Sequence, residues 1–199
     1  MKVSSRTIAF TALLAAIICA IAPWTVPIGP IPVSLATFGI YIASCVIDAK
    51  HGTVATIVYV VLGAIGVPVF SGARGGFGVI AGPTGGYIVG YVFLAVVTGL
   101  LIDFLGREKR IWIYPIAMIA GTAVLYAFGT AWYMISTGAG IGAALIVCVL
   151  PFLIGDGIKI AAATAVGFPV RRALRKTVLR AAGHAGKTDK PHYDDREGK

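Results

Sequence analysis

Few residues in this chain have chemistry to offer. Asp156 and Lys159 stand in Gly155-Asp156-Gly157-Ile158-Lys159, within a long apolar run. Residues three apart share one face of a helix. A charge at the centre of a bilayer costs about 2.5–3.5 kcal/mol on insertion scales, so such groups turn inward and mark function. The pair offers one acceptor and one donor to a solute that has both; the plainer alternative is a pair that only locks its helix to its neighbours. Gly155 and Gly157 are expected to leave room beside the aspartate. Arg74 lies in Ser71-Gly72-Ala73-Arg74-Gly75-Gly76. Its planar guanidinium suits a carboxylate, although a loop arginine can also simply be solvated. Asp103 sits near the end of its apolar run, where a water-exposed role is expected.

Other chemistries fail on residue type or spacing. Cys19, Cys45 and Cys148 are far apart in apolar stretches and form no metal or redox motif. His51, His184 and His192 fall in a turn or the polar C-terminus, so no nucleophile–base pair can be assembled and no enzyme is expected. Gly186-Lys187-Thr188 resembles the end of a phosphate loop, but the glycine required at position 181 is Ala181. Gly76-x-Gly78-x-x-Ala81 lacks the preceding strand of a dinucleotide fingerprint. No metal and no cofactor are expected.

The elements that hold these residues are membrane spans. The 199 residues carry 13% charged side chains and a mean hydropathy of +0.90, where a soluble domain carries about a quarter charged residues. The net charge of +9 sits in clusters at the ends of apolar runs, which is a topology signal and excludes a nucleic-acid partner. Six helices are expected: Thr7–Ala22, Ser34–Ile47, Thr53–Ile65, Thr84–Leu105, Ile111–Ser136 and Ala143–Val170. Pro23, Pro27, Pro30 and Pro32 interrupt the first gap. Asp48 to Gly52 reads as a polar turn, Gly66–Gly82 as irregular chain, and Gly138, Gly140 and Gly142 as a turn. Lys2, Arg6, Lys50, Arg107, Lys109, Arg110 and the Arg171–Arg180 cluster fall on one side, and Arg74 on the other. The positive-inside rule then gives an all-α, multi-pass protein of the cytoplasmic membrane with both termini cytoplasmic. The first run has a passable signal-peptide pattern, with Ala20-Ile21-Ala22 as its site, but the spans that follow favour an uncleaved helix. Residues 1–180 form the membrane domain and 181–199 a disordered polar tail.

Two stripes of small residues bear on helix packing. Gly82, Gly86 and Gly90 recur every four residues, as do Ala12, Ala16 and Ala20. In a bilayer such spacing marks a face where another helix approaches closely, inside the protein or from a partner.

Separated motifs then agree with one family. Gly63-Ala64-Ile65-Gly66-Val67-Pro68-Val69-Phe70-Ser71-Gly72, followed by Gly82-Pro83-Thr84-Gly85-Gly86-Tyr87, closely resembles the BioY signature. Gly155-Asp156-x-x-Lys159 is similar to the motif of that family's last helix, and Pro30-Ile31-Pro32-Val33 resembles its first outer loop. The resemblance runs from about Arg6 to Arg172. It implies a biotin-specific S component of an energy-coupling factor (ECF) transporter: six helices, and a biotin site near the outer surface capped by two loops. It also implies a partner module of one transmembrane coupling protein and two ATPases. The site would comprise Asp156, Lys159, Arg74, Thr84 and Tyr87, and the Ala12–Ala16–Ala20 stripe resembles the family's docking surface for the coupling protein. Many relatives carry glutamine where Ala36 stands, and some carry a basic residue at the position of Ile88, so the carboxylate role is expected to fall to Arg74. Biotin's ureido ring has donors and an acceptor for Asp156 and Lys159, and its thiophane ring and chain suit an apolar pocket. The choice of biotin rests on the resemblance; the residues alone indicate a small polar anion or zwitterion. The competing functions are an S component for another vitamin and a self-sufficient oligomeric facilitator.

Overall fold

The computed structural model describes residues 5–27, 31–105 and 110–185. Expectations for Lys2, Pro30, Arg107, Lys109 and the tail from residue 186 onward lie outside the described residues. Among the described residues, eight helices and one short hairpin follow in the order α1 (Ser5–Ile21), β1 (Thr25–Val26), β2 (Val33–Ser34), α2 (Ala36–Val46), α3 (Ala49–Ala64), α4 (Phe77–Ala81), α5 (Gly85–Leu105), α6 (Ile113–Thr137), α7 (Ile141–Cys148) and α8 (Leu150–Ala185). Three of the stretches are long and apolar enough to cross a bilayer: Gly85–Leu105, Ile113–Thr137 and Ile141–Leu174. Three shorter apolar helices, Thr7–Ile21, Ala36–Val46 and Ala49–Ala64, pack among them. Ile154, Ile135 and Phe104 are 79%, 81% and 83% exposed, an apolar exterior that suits lipid rather than water.

The proline-rich gap is more ordered than a loop. Thr25 pairs with Ser34 and Val26 with Val33, antiparallel. Ser34, expected to open the second helix, is therefore a strand residue. Its hydroxyl donates to the Ala22 carbonyl at 2.7 Å and accepts the Ala36 N–H at 2.9 Å, which fixes where α2 can begin. The expected polar turn at 48–52 is mostly helix. Asp48 caps α3 by accepting the His51 N–H at 2.9 Å, so Ala49 to Gly52 form its first turn. Burial raises the Asp48 carboxyl, but the His51 N–H, the His51 ring and the Arg171 guanidinium together hold it below the usual aspartate value.

The last span is two helices. The chain breaks at Val149 and resumes as α8, which runs past the expected end at Val170, through Pro169, to Ala185. Pro151 lies in the first turn of α8, where a missing N–H costs nothing. Of the glycine stripe, Gly82 falls before α5, at the end of α4, while Gly86 and Gly90 lie on α5 and form an internal packing face. A Cβ on Gly86 would collide with Trp132 and the Phe128 carbonyl, and one on Gly90 would meet Leu125 at 2.8 Å, so α5 and α6 lie almost backbone to backbone. Asp103 departs from its expected exposed role. Its side chain is 14% exposed and pairs with Arg171, which is itself buried.

Candidate functional site

At the hairpin end of the bundle, Asp156 and Lys159 face inward from α8, 3% and 8% exposed. The i, i+3 spacing brings the Lys159 Nζ to 3.0 Å from Asp156 Oδ1. The same ammonium donates to the Ser34 carbonyl at 2.7 Å and to Thr37 Oγ1 at 3.1 Å, so its three donors are all engaged. Asp156 Oδ1 also accepts from the Thr37 hydroxyl at 3.3 Å, and Oδ2 accepts from the Tyr126 hydroxyl at 2.7 Å. A low-polarity interior tolerates such a pair only when the remaining lone pairs and protons are matched, and here β2, α2 and α6 match them.

Gly155 and Gly157 do not supply the room expected of them. A Cβ on Gly155 would touch Val33 at an ordinary 3.7 Å, and Gly157 faces open space. One residue to either side of Asp156 is a rotation of about 100°, which carries both glycines off the inward face.

These groups form the polar end of a narrow, partly open cavity. All five residues expected at the site, Asp156, Lys159, Arg74, Thr84 and Tyr87, line it. The other walls are largely aromatic. Tyr59 meets Phe70 edge-on at 5.7 Å, and Tyr87 stacks on Phe152 at 5.8 Å. The Tyr87 hydroxyl donates to the Cys148 carbonyl at 2.5 Å. Its ring therefore faces the cavity while its polar atom holds the end of α7 at the helix break.

Arg74 is exposed at the mouth. The chain doubles back through Gly72 and Ala73, both at positive φ (71° and 57°), so that Arg74 pairs with Phe70. Alanine in that region is strained, and strain of this kind collects at functional loops. The Gly72 N–H donates to the Pro23 carbonyl at 3.1 Å, tying this loop to the hairpin strand region. Phe70 reaches the wall because Gly63 has no side chain; a Cβ there would sit inside the Phe70 ring. Arg74 Nε donates to the Ser71 carbonyl at 3.2 Å, and among the described residues its terminal nitrogens have no partner.

Nothing in the sequence singles out Thr37, Tyr126 or the Ser34 carbonyl, because a lone threonine or tyrosine in an apolar helix is unremarkable. Only the packing of β2, α2 and α6 on α8 selects them. Ala12, Ala16 and Ala20, the other expected set, lie outside this cavity. They line a shallow groove between α1 and α3 with Val58, Leu62, Val67 and Val69. All three alanines are exposed, so the stripe is not used to pack α1 inside the described bundle. Among the described residues no group of three His, Cys, Asp or Glu side chains could hold a metal ion.

The BioY family profile matches residues 1–176. The chain is 38% identical over 173 residues to the biotin transporter BioY of Rhizobium etli, covering 82% of this chain and 92% of that protein. It is 40% identical over 121 residues to the biotin transporter BioY of Thermotoga maritima, covering 60% and 67%. Its fold matches the crystal structure of the S-component for biotin from an ECF-type ABC transporter, with a TM-score of 0.80 at 24% identity over 86% of this chain and 95% of that one. The chain belongs to the BioY family.

Proposed function

We propose that this BioY-family chain is the biotin-binding S component of an ECF transporter, a carrier subunit rather than an enzyme. The observation that carries the reading is the Asp156–Lys159 pair at the polar end of an aromatic-lined cavity. Biotin's ureido N–H groups donate to Asp156 and its carbonyl accepts from Lys159. The thiophane ring and alkyl chain lie against the aromatic walls, and the carboxylate meets Arg74 at the mouth. Thr84 and the Tyr87 ring complete the wall beside the chain. Because the Lys159 donors are already engaged, the ureido carbonyl takes the place of the Ser34 carbonyl or of Thr37. The names of the relatives from Rhizobium etli and Thermotoga maritima support biotin as the ligand.

The protein spans the cytoplasmic membrane six times, with both termini cytoplasmic and the hairpin end outside. The basic clusters at alternate ends of the apolar runs support this arrangement. Ala12, Ala16 and Ala20 receive the transmembrane coupling protein of an energising module that also contains the ATPases. Their exposure along a groove supports a partner at that face, since packing of small residues drives helix association in lipid.

Native mass spectrometry of the purified protein tests the ligand. A bound mass equal to biotin, shifted by the isotopic increment after exchange with excess deuterium-labelled biotin, is expected; a different vitamin mass would sink the assignment. Uptake by the protein alone in liposomes would replace the partner-dependent reading with that of a facilitator.

A further inference from the structure

Among the described residues four tyrosines line the cavity: Tyr59, Tyr87, Tyr91 and Tyr126. Two have hydroxyls engaged within the protein, Tyr87 on the Cys148 carbonyl and Tyr126 on Asp156 Oδ2. Tyr59 and Tyr91 are 1% and 7% exposed, and among the described residues neither hydroxyl has a hydrogen-bond partner. Neither oxygen is sealed in. Among the described residues the fully enclosed side-chain polar atoms without a partner are Ser44 Oγ, Thr130 Oγ1 and Arg171 Nε. The two phenol oxygens therefore touch open space, and the space that both residues line is the cavity. Buried hydroxyls are ordinarily matched, because an unmatched one forfeits its hydration without return. Two unmatched phenols at a ligand site are polar groups held for the ligand.

Of the two, Tyr91 stands at the polar end. α5 and α8 run in the same direction: Tyr87 stacks on Phe152 near their starts, and Asp103 pairs with Arg171 further along both. Tyr91 follows Tyr87 by four residues and Asp156 follows Phe152 by four, in each case about one turn and about 6 Å along the axis. Tyr91 therefore comes level with Asp156, on the same face of α5 as Tyr87. Tyr59 of α3 braces its ring at 6.3 Å between centroids, and Phe70 braces Tyr59 edge-on. Free donors are scarce at this level. The three Lys159 donors are engaged, and the Thr37 and Tyr126 hydroxyls both donate to Asp156. The Tyr91 O–H is the donor that no protein group takes up. A cyclic urea brings one oxygen with two lone pairs. Lys159 can turn to one of them, and the other needs a second donor.

We propose that Tyr91 is a specificity-determining residue whose hydroxyl donates to the ureido oxygen of the ligand beside Lys159, so that the site selects a ring carbonyl able to accept two hydrogen bonds. A site built to hydrogen-bond a polar atom rejects an analogue that lacks it, since the buried donor is then left unpaired. This role rests on the reading that the cavity holds biotin.

Tyr91→Phe removes the hydroxyl and keeps the ring. With the full chain in lipid nanodiscs, tritiated biotin gives Kd, and 2-thiobiotin and dethiobiotin are read as competitors. Thermal unfolding without ligand is followed on the same samples. In 2-thiobiotin a C=S group, a weaker acceptor, replaces the ring C=O; dethiobiotin keeps the cyclic urea and lacks the sulfur ring. Tyr91→Phe should weaken biotin and dethiobiotin by the same factor, about three- to tenfold. It should weaken 2-thiobiotin less, narrowing the preference for biotin over 2-thiobiotin. Stability of the ligand-free protein should not fall, since this hydroxyl has no partner to lose. Tyr41→Phe is the control: its hydroxyl meets Thr122 at 2.5 Å, and neither residue lines the cavity. That variant should be less stable with an unchanged preference. Parental biotin affinity in Tyr91→Phe would overturn the proposal, as would equal weakening of biotin and 2-thiobiotin. A larger loss for biotin than for dethiobiotin would place the hydroxyl at the sulfur ring and overturn it too. So would a less stable ligand-free Tyr91→Phe protein, the same narrowing in Tyr41→Phe, or narrowing in Tyr59→Phe with none in Tyr91→Phe. A parent that binds no biotin would sink the reading of the cavity and this role with it; a parent that binds biotin beside an unaltered Tyr91→Phe protein would sink this role alone.

Discussion

Replacing Lys159 by methionine removes the cation from a pair that is almost fully buried. The side chain keeps much of its length, so the loss is electrostatic and polar rather than volumetric. Asp156 retains the Tyr126 and Thr37 hydroxyls, but the Ser34 carbonyl loses its partner. Breaking one half of a buried pair costs about 3–5 kcal/mol of stability. Loss of a hydrogen bond from a charged donor to the ligand costs about 1.5–3 kcal/mol of binding, or roughly 10- to 150-fold in affinity. Both effects follow from one substitution, so a second variant separates them. Asp156→Asn combined with Lys159→Met removes both charges. The carbonyl of the substituted amide can still accept from Tyr126, and its NH2 group can donate toward Thr37. Most of the stability should return, because no uncompensated charge remains, while biotin affinity should stay at least about tenfold weak. Thermal unfolding and tritiated-biotin binding in the same detergent measure the two quantities. A double variant no more stable than Lys159→Met would refute the reasoning about the pair. Parental affinity in the double variant would remove the pair from the site.

Arg74→Ala should weaken biotin by about 1.5–3 kcal/mol and a neutral biotin amide far less; equal losses in a competition assay would remove Arg74 from the carboxylate. Ala12→Trp combined with Ala16→Trp should leave biotin binding by the isolated protein intact and abolish co-purification with the coupling protein and ATPases. Loss of biotin binding in that variant would instead mean that the stripe packs internally. Asp48→Ala should lower stability by about 0.5–2 kcal/mol near neutral pH through loss of the α3 cap. Because the folded carboxyl lies below its ordinary value, this contribution is present above the unfolded value of about 3.9 and is lost as pH falls through the folded one. The gap between parent and variant should therefore close in acid unfolding series; a constant gap would argue against the cap.

The helical membrane character, the family and the principal charged residues were legible in the sequence because each depends on composition or on spacing along one helix. Asp156 and Lys159 needed only their apolar surroundings and a three-residue interval to be singled out. Helix boundaries were legible where glycine or proline marks them, and were misread at Asp48, whose capping role depends on its side chain folding back onto the His51 N–H. Thr37, Tyr126 and the Ser34 carbonyl could not be found in the same way. They lie 119, 30 and 125 residues from the charged group they contact, and nothing local distinguishes a threonine that meets Asp156 from one that bonds back to its own helix, as Thr56 does to the Gly52 carbonyl. Arg171 shows the same limit more sharply. In sequence it is the first of a basic cluster at a membrane edge; in the fold it is buried against Asp103. A charge pattern along the chain records which end of a helix meets water, but whether a particular charge is solvated or paired depends on which helices converge there, and tertiary packing alone decides that.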